Sequence, residues 1–133
     1  MIGRRRRPDP PARAVLGAVA VGRIAIGVTG LLAPGPVLRS LGFDGDDPGG
    51  RTLSRMTGAR DFGFAALTFA ALDDPAALRQ AALITGAADA VDCAAMGAAA
   101  ARGAGQVPTL VLSSLAGAGA AVLSAWAADR LRA

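Results

Sequence analysis

Four apolar stretches, separated by Pro, Gly and Asp, set the plan of the chain. Residues 13 to 33, RAVLGAVAVGRIAIGVTGLLA, form the first; as a helix rising 1.5 Å per residue they span about 30 Å, the thickness of a bilayer's hydrocarbon. Pro34 and Pro36 end it, and PVLRSLG predicts a short interfacial turn of helix with Pro36 at its start and Gly42 past its end. After FDGDDPGG a second helix is expected from near Thr52 or Ser54, either of which can cap it, through RMTGARDFGFAALTFAAL to Leu72. Asp73 and Asp74 then supply a cap and Pro75 the first position of a third helix, which runs to about Ala101. Pro108 opens the fourth, PTLVLSSLAGAGAAVLSAWAA, which carries no charge up to Ala128.

This pattern predicts an all-α fold, a four-helix transmembrane bundle running up-down-up-down. The expected helices cover about 13–33, 53–72, 75–101 and 108–128 within a domain of residues 13–129. Residues 1–12, four consecutive Arg followed by PDPP, are expected to be a disordered basic tail in the cytoplasm, and 130–133 a second short tail. An Arg-rich leader could also mark a secretory signal, but the apolar run is too long for one and is interrupted by Arg23. A soluble Ala-rich bundle is disfavoured because the fourth helix has no polar face.

Composition agrees. Of 133 residues, 53% are apolar and 18% charged, with a mean hydropathy of +0.43, whereas soluble domains average about 25% charged. Every cation is Arg and every acid Asp. The sequence pI of about 11.2 stems largely from the leader, Arg4 to Arg7 with Arg13, and no aromatic-basic platform accompanies it, so nucleic-acid binding is not expected. Cys93 stands alone, which excludes an internal disulfide and multi-cysteine metal motifs, and the absence of His and Glu removes the usual zinc and iron ligands. Asp44, Asp46 and Asp47 invite a calcium reading, but the closing Glu of an EF-hand is missing and Pro48 intrudes. Neither a metal nor a cofactor is expected.

Arg counts orient the chain. With the N-terminus inside, cytoplasmic segments hold Arg4 to Arg7, Arg13, Arg79, Arg130 and Arg132, while outer loops hold Arg39, Arg51 and Arg102, with Arg55 at the outer edge of the second helix. The excess favours N-in and C-in, a multi-pass arrangement in a bacterial inner membrane, with Trp126 at the inner interface.

Five ionisable residues remain inside the expected spans: Arg23, Arg60, Asp61, Asp89 and Asp92. Each costs roughly 2.5 to 3.5 kcal/mol at the bilayer centre, so they are expected to pair with one another. Depth along the helices places Arg23 level with Asp89 near the midplane, and Arg60 level with Asp92 nearer the outer face. Asp89 and Asp92, three apart, share a face with Thr85 and Met96. Neighbours differ by about 100° around a helix, so Asp61 is expected to turn away from Arg60 and to cap or bridge to Arg55 or Arg51. Three acids against two bases leave one carboxylate without a full partner. Two rows of small residues, Ala82, Gly86, Ala90 and Ala94 on the third helix and Ser113, Gly117, Ala121 and Ala125 on the fourth, predict close helix packing or self-association.

RMTGARDFGF, Arg55 to Phe64, resembles the Arg-x-x-Gly-x-Arg-Asp opening of helix two in a group of small four-helix bacterial membrane proteins catalogued as domains of unknown function, broadly similar to the DoxX-like families. GRIAIG followed by LLAP in the first helix, and DAVD in the third, fit the same plan, so the resemblance covers Val15 to Trp126. It implies a fold and no activity. Arg23, Arg55, Gly58, Arg60 and Asp61 are its motif positions, and the Phe-Gly order after Asp61 departs from the aliphatic residues expected there.

Three functions suit such a molecule. An accessory or binding bundle could hold a membrane lipid or another apolar or amphiphilic small molecule at Arg23, Arg60, Asp61, Asp89 and Asp92, alone or as a homo-oligomer, with the two Arg attracting an anionic head group. A membrane enzyme could use Asp89, Asp92 or Asp61 for acid-base chemistry on an apolar substrate, as an isomerase, cyclase or epoxide-opening catalyst. An oligomer could couple transport to protons held by the same acids. Against all three stands a purely structural role, since ion networks also lock helices together where lipid provides no hydrophobic drive between them.

Overall fold

An Asp-Pro step starts three of the five helices in the computed structural model, which describes residues 8–132. Asp9 precedes α1 (Pro10–Leu32), Asp47 precedes α3 (Pro48–Ala71) and Asp74 precedes α4 (Pro75–Ala101). In each, the carboxylate accepts from a backbone N–H of the first turn, while Pro occupies a position whose missing N–H would have no partner inside the helix. The short α2 (Pro34–Ser40) and α5 (Val107–Arg130) complete the order, and no strand occurs among the described residues.

This device corrects two expected boundaries. The first helix begins at Pro10, not Arg13, because the PDPP read as helix-breaking is a capped helix start, and residues 10–12 therefore belong to α1. Residues 1–7 of the expected tail lie outside the described residues. The helix expected from Thr52 begins at Pro48, since Asp47 provides the cap before Thr52 or Ser54 can. At the other end, α5 continues to Arg130, and Leu131 is buried in the core, so these residues do not form a tail; Ala133 lies outside the described residues.

Packing is closest between α1 and α3 and between α4 and α5, with looser contact of α1 with α5 and of α3 with α4. One end of the bundle is an apolar cluster of Ala12 and Leu16, Ala71, Leu78, Ala81 and Ala82, and Ala127, Ala128 and Leu131. It joins the start of α1, the end of α3, the start of α4 and the end of α5, so successive long helices run in opposite directions here. Arg13 ties the same end together, donating to the Leu72 carbonyl and to Asp73, while Arg130 pairs with Asp9 and stacks over Trp126. At the opposite end, the Gln106 N–H donates to the Leu41 carbonyl and holds α2 against the α4–α5 turn.

Between α1 and α3 lies a backbone seam of glycines. A Cβ on Gly58 would stand 2.7 Å from the Gly27 carbonyl oxygen and 3.0 Å from the Leu31 nitrogen. A Cβ on Gly27 or Gly30 would meet α3 backbone just as closely, at 2.9 Å and 3.0 Å. Small residues let helix backbones approach where association rests on van der Waals contact, and a glycine inside a helix otherwise lowers its stability.

The distribution of polarity is inverted relative to a soluble bundle. Arg23, Asp61, Asp89, Thr68, Thr85 and Ser124 are buried, while Val21, Ile26, Leu53, Val91, Leu112 and Val122 face outward. Three helices, α1, α4 and α5, are long and apolar enough to cross a membrane. The early turns of α3 carry Arg51, Arg55, Arg60 and Asp61, which keep its overall hydropathy lower.

Candidate functional site

Half-way along the bundle the charges between the helices form one chain of alternating sign: Asp92, Arg60, Asp61, Arg23, Asp89. Arg23 of α1 donates from Nη2 to Asp89 Oδ2 at 2.5 Å and to the Thr85 carbonyl at 3.2 Å, both on α4, and from Nη1 to Asp61 Oδ1 at 3.5 Å on α3. It thereby spans the diagonal between α1 and α4, a pair whose backbones do not pack closely. Arg60 grips Asp92 with both Nη atoms, at 3.2 Å and 2.6 Å, and turns Nε and Nη2 to Asp61 Oδ1 at 3.4 Å and 3.2 Å. The planar guanidinium fork suits such two-point contact, which a lysine would not reproduce.

Both pairs expected from depth, Arg23 with Asp89 and Arg60 with Asp92, are therefore formed. The expectation for Asp61 is corrected. It does not reach Arg55 or Arg51; its side chain is buried at the centre of the network, touching both Arg. The 100° offset between neighbours does separate Asp61 from the root of Arg60, but the long Arg side chain curls back across it. Arg51 instead pairs with Asp46 and donates to the Gly45 carbonyl, and Arg55 is exposed without an ion pair among the described residues. The acidic loop is likewise spoken for: Asp47 caps α3, Asp46 meets Arg51 and Arg39, and Asp44 accepts from the Asp46 N–H.

Sequence reasoning missed Phe64. The centroid of its ring lies 5.4 Å from the Arg23 guanidinium carbon and 5.7 Å from that of Arg60, so one aromatic ring serves two cations that share Asp61. Its position one turn after Arg60 was the available signal, because residues four apart lie on one helix face. Gly58, known at first only as a motif position, has a separate task in the seam with α1. Within Arg-x-x-Gly-x-Arg-Asp, then, the glycine brings α3 against α1 and the Arg-Asp pair enters the network.

Access to this network is one-sided. Side-chain exposure is 6% for Arg23 and Asp61 and 11% for Asp89, but 33% for Arg60 and 40% for Asp92. The Arg60–Asp92 end thus opens between α3 and α4, where the helices pack loosely, while the Arg23–Asp89 end is closed. The small-residue rows divide their work. Gly86 lies against Ser124 and Gly117 against the Asp89 carbonyl and Cys93, which closes α4 onto α5. Ala90 and Ala125 face outward along a shallow apolar groove of about 360 Å³ shared with Ala82, Gly86, Ala121 and Val122.

A scan against protein-family models, a search of curated proteins and a search of solved structures each return no match for this chain.

Proposed function

We propose that the chain is a multi-pass four-helix protein of a bacterial inner membrane, N-in and C-in, that holds an amphiphile with its polar end at the Arg60–Asp92 opening. The alternation of helix direction and the inverted polarity support four crossings, with α3 included because its charges turn inward to partners. Bilayer solvent favours this arrangement, since an ionised side chain facing lipid at mid-depth is strongly disfavoured. The resemblance of Arg55 to Phe64 to the four-helix families of DoxX-like architecture fits the same reading.

The observation that carries a binding role is the exposure gradient. A network that serves only to lock helices gains nothing from an open end, whereas Arg60 and Asp92 offer a donor and an acceptor beside an apolar surface that includes Val91. The acid-base alternative has less support, because Asp61 and Asp89 are enclosed and already engaged by Arg23.

Protein extracted from membranes in a mild uncharged detergent and examined by native mass spectrometry is expected to retain amphiphile, and the double variant Arg60→Ala with Asp92→Ala, which removes both polar groups of the opening, to lose it. Equal retention in both proteins would remove the binding role.

A further inference from the structure

The chain of five charges begins and ends on a carboxylate, and that asymmetry says what the open end will accept. By formal charge, three Asp against two Arg leave the network one negative charge in excess. No neighbouring element supplies the balance. On α1 the remaining cation is Arg13, which is committed to Asp73 at the far end. On α3, Arg51 is held by Asp46 and Arg55 points outward. On α4, Arg79 lies near the opposite end from Asp92, Arg102 caps the helix about 15 Å beyond Asp92, and α5 carries no charge before Asp129 and Arg130. The donors of Arg60 are also largely used: four contacts run from it to Asp61 and Asp92. An anion entering there would have to displace a carboxylate and add charge of the same sign to a site of low dielectric, where like charges repel strongly.

We infer that the Arg60–Asp92 opening is a subsite for an ammonium group on an apolar tail, with Asp92 as its carboxylate partner. This rests on the amphiphile-binding reading above and reverses the expectation that the two Arg recruit an anionic head group. Asp92 has the most exposed carboxylate of the network and keeps acceptor capacity beyond its contacts with Arg60. An ammonium placed against it extends the alternation by one cation and brings the whole assembly to neutrality. The exposed apolar side chains around the bundle accommodate the tail.

Three probes test this on the full chain in an uncharged detergent: dodecylammonium, phosphatidylethanolamine and dodecyl phosphate, each titrated by native mass spectrometry. Saturable binding of dodecylammonium, at least about tenfold tighter than dodecyl phosphate, is the expected result. Competition by phosphatidylethanolamine would identify a lipid amine as the source, and its failure to compete a soluble hydrophobic amine. Asp92→Asn is expected to weaken dodecylammonium about tenfold while circular dichroism remains helical; if that variant does not fold, the cation-over-anion preference of the unaltered protein decides alone. Preference for dodecyl phosphate, or undiminished ammonium binding in folded Asp92→Asn, overturns the inference and leaves amphiphile binding intact. No saturable binding of any probe overturns both.

Discussion

Arg23→Met is expected to destabilise the bundle by about 3 to 5 kcal/mol, the cost of removing one partner from a buried ion pair and leaving the other uncompensated. The substitution keeps an unbranched apolar stem and removes the guanidinium. What it removes is the cation between Asp89 and Asp61, two buried carboxylates on different helices. A partner change separates this cause from general damage. Adding Asp89→Asn to Arg23→Met returns the network to its original excess of one negative charge, held by Asp92, Arg60 and Asp61, and is expected to recover most of the loss. Unfolding free energies measured in bicelles for the two single variants and the double variant form the cycle. If the double variant is no more stable than Arg23→Met, charge balance is not what Arg23 supplies.

The second large effect is steric. Gly58→Ala places a methyl 2.7 Å from the Gly27 carbonyl oxygen, where both neighbours are backbone and cannot rotate away. Overpacking of this kind costs about 1 to 3 kcal/mol and outweighs the helix propensity that Ala gains over Gly. Gly63, five residues on in the same helix, is the control: a Cβ there meets nothing within 4 Å. Gly63→Ala is therefore expected to be neutral or to stabilise by about 0.5 to 1 kcal/mol. The propensity gain is common to both alanine variants, so in the same unfolding assay they are expected to differ by the overpacking cost, roughly 1 to 3 kcal/mol. Equal stability would mean that α1 and α3 do not touch through these glycines.

Much of this arrangement is legible from one-dimensional information because depth along a helix is a linear measure. Counting residues from Pro and Asp punctuation sets Arg23 beside Asp89 and Arg60 beside Asp92, and both pairs form. Angular position is harder to read. Asp61 is displaced from its expected role because a flexible Arg can fold over a neighbouring residue, a freedom that a wheel of fixed directions ignores. The glycine seam is signalled only by Gly27, Gly30 and Gly58 sitting inside helices, where a packing reason justifies them. The helix starts at Pro10 and Pro48 precede the expected ones because PDPP carries an Asp-Pro start as well as helix-breaking prolines, and because Asp47 caps ahead of Thr52 and Ser54. The ends of the site, closed at Asp89 and open at Asp92, depend on how tightly α4 packs against α3 and α5, which no spacing in the sequence encodes.

All of these effects depend on hydrocarbon surrounding the bundle at the level of the charge network. Nitroxide labels at Val21, Val91 and Val122, which are 60%, 67% and 67% exposed, probe that level in a Cys93→Ala background reconstituted into bilayers; a label at Asp46 in the loop between α2 and α3 serves as reference. Power saturation against oxygen and a water-soluble nickel chelate is predicted to give high oxygen and low nickel collision rates at the three valine positions, with the reverse at Asp46. Nickel access at the three valine positions equal to that at Asp46 would contradict the account.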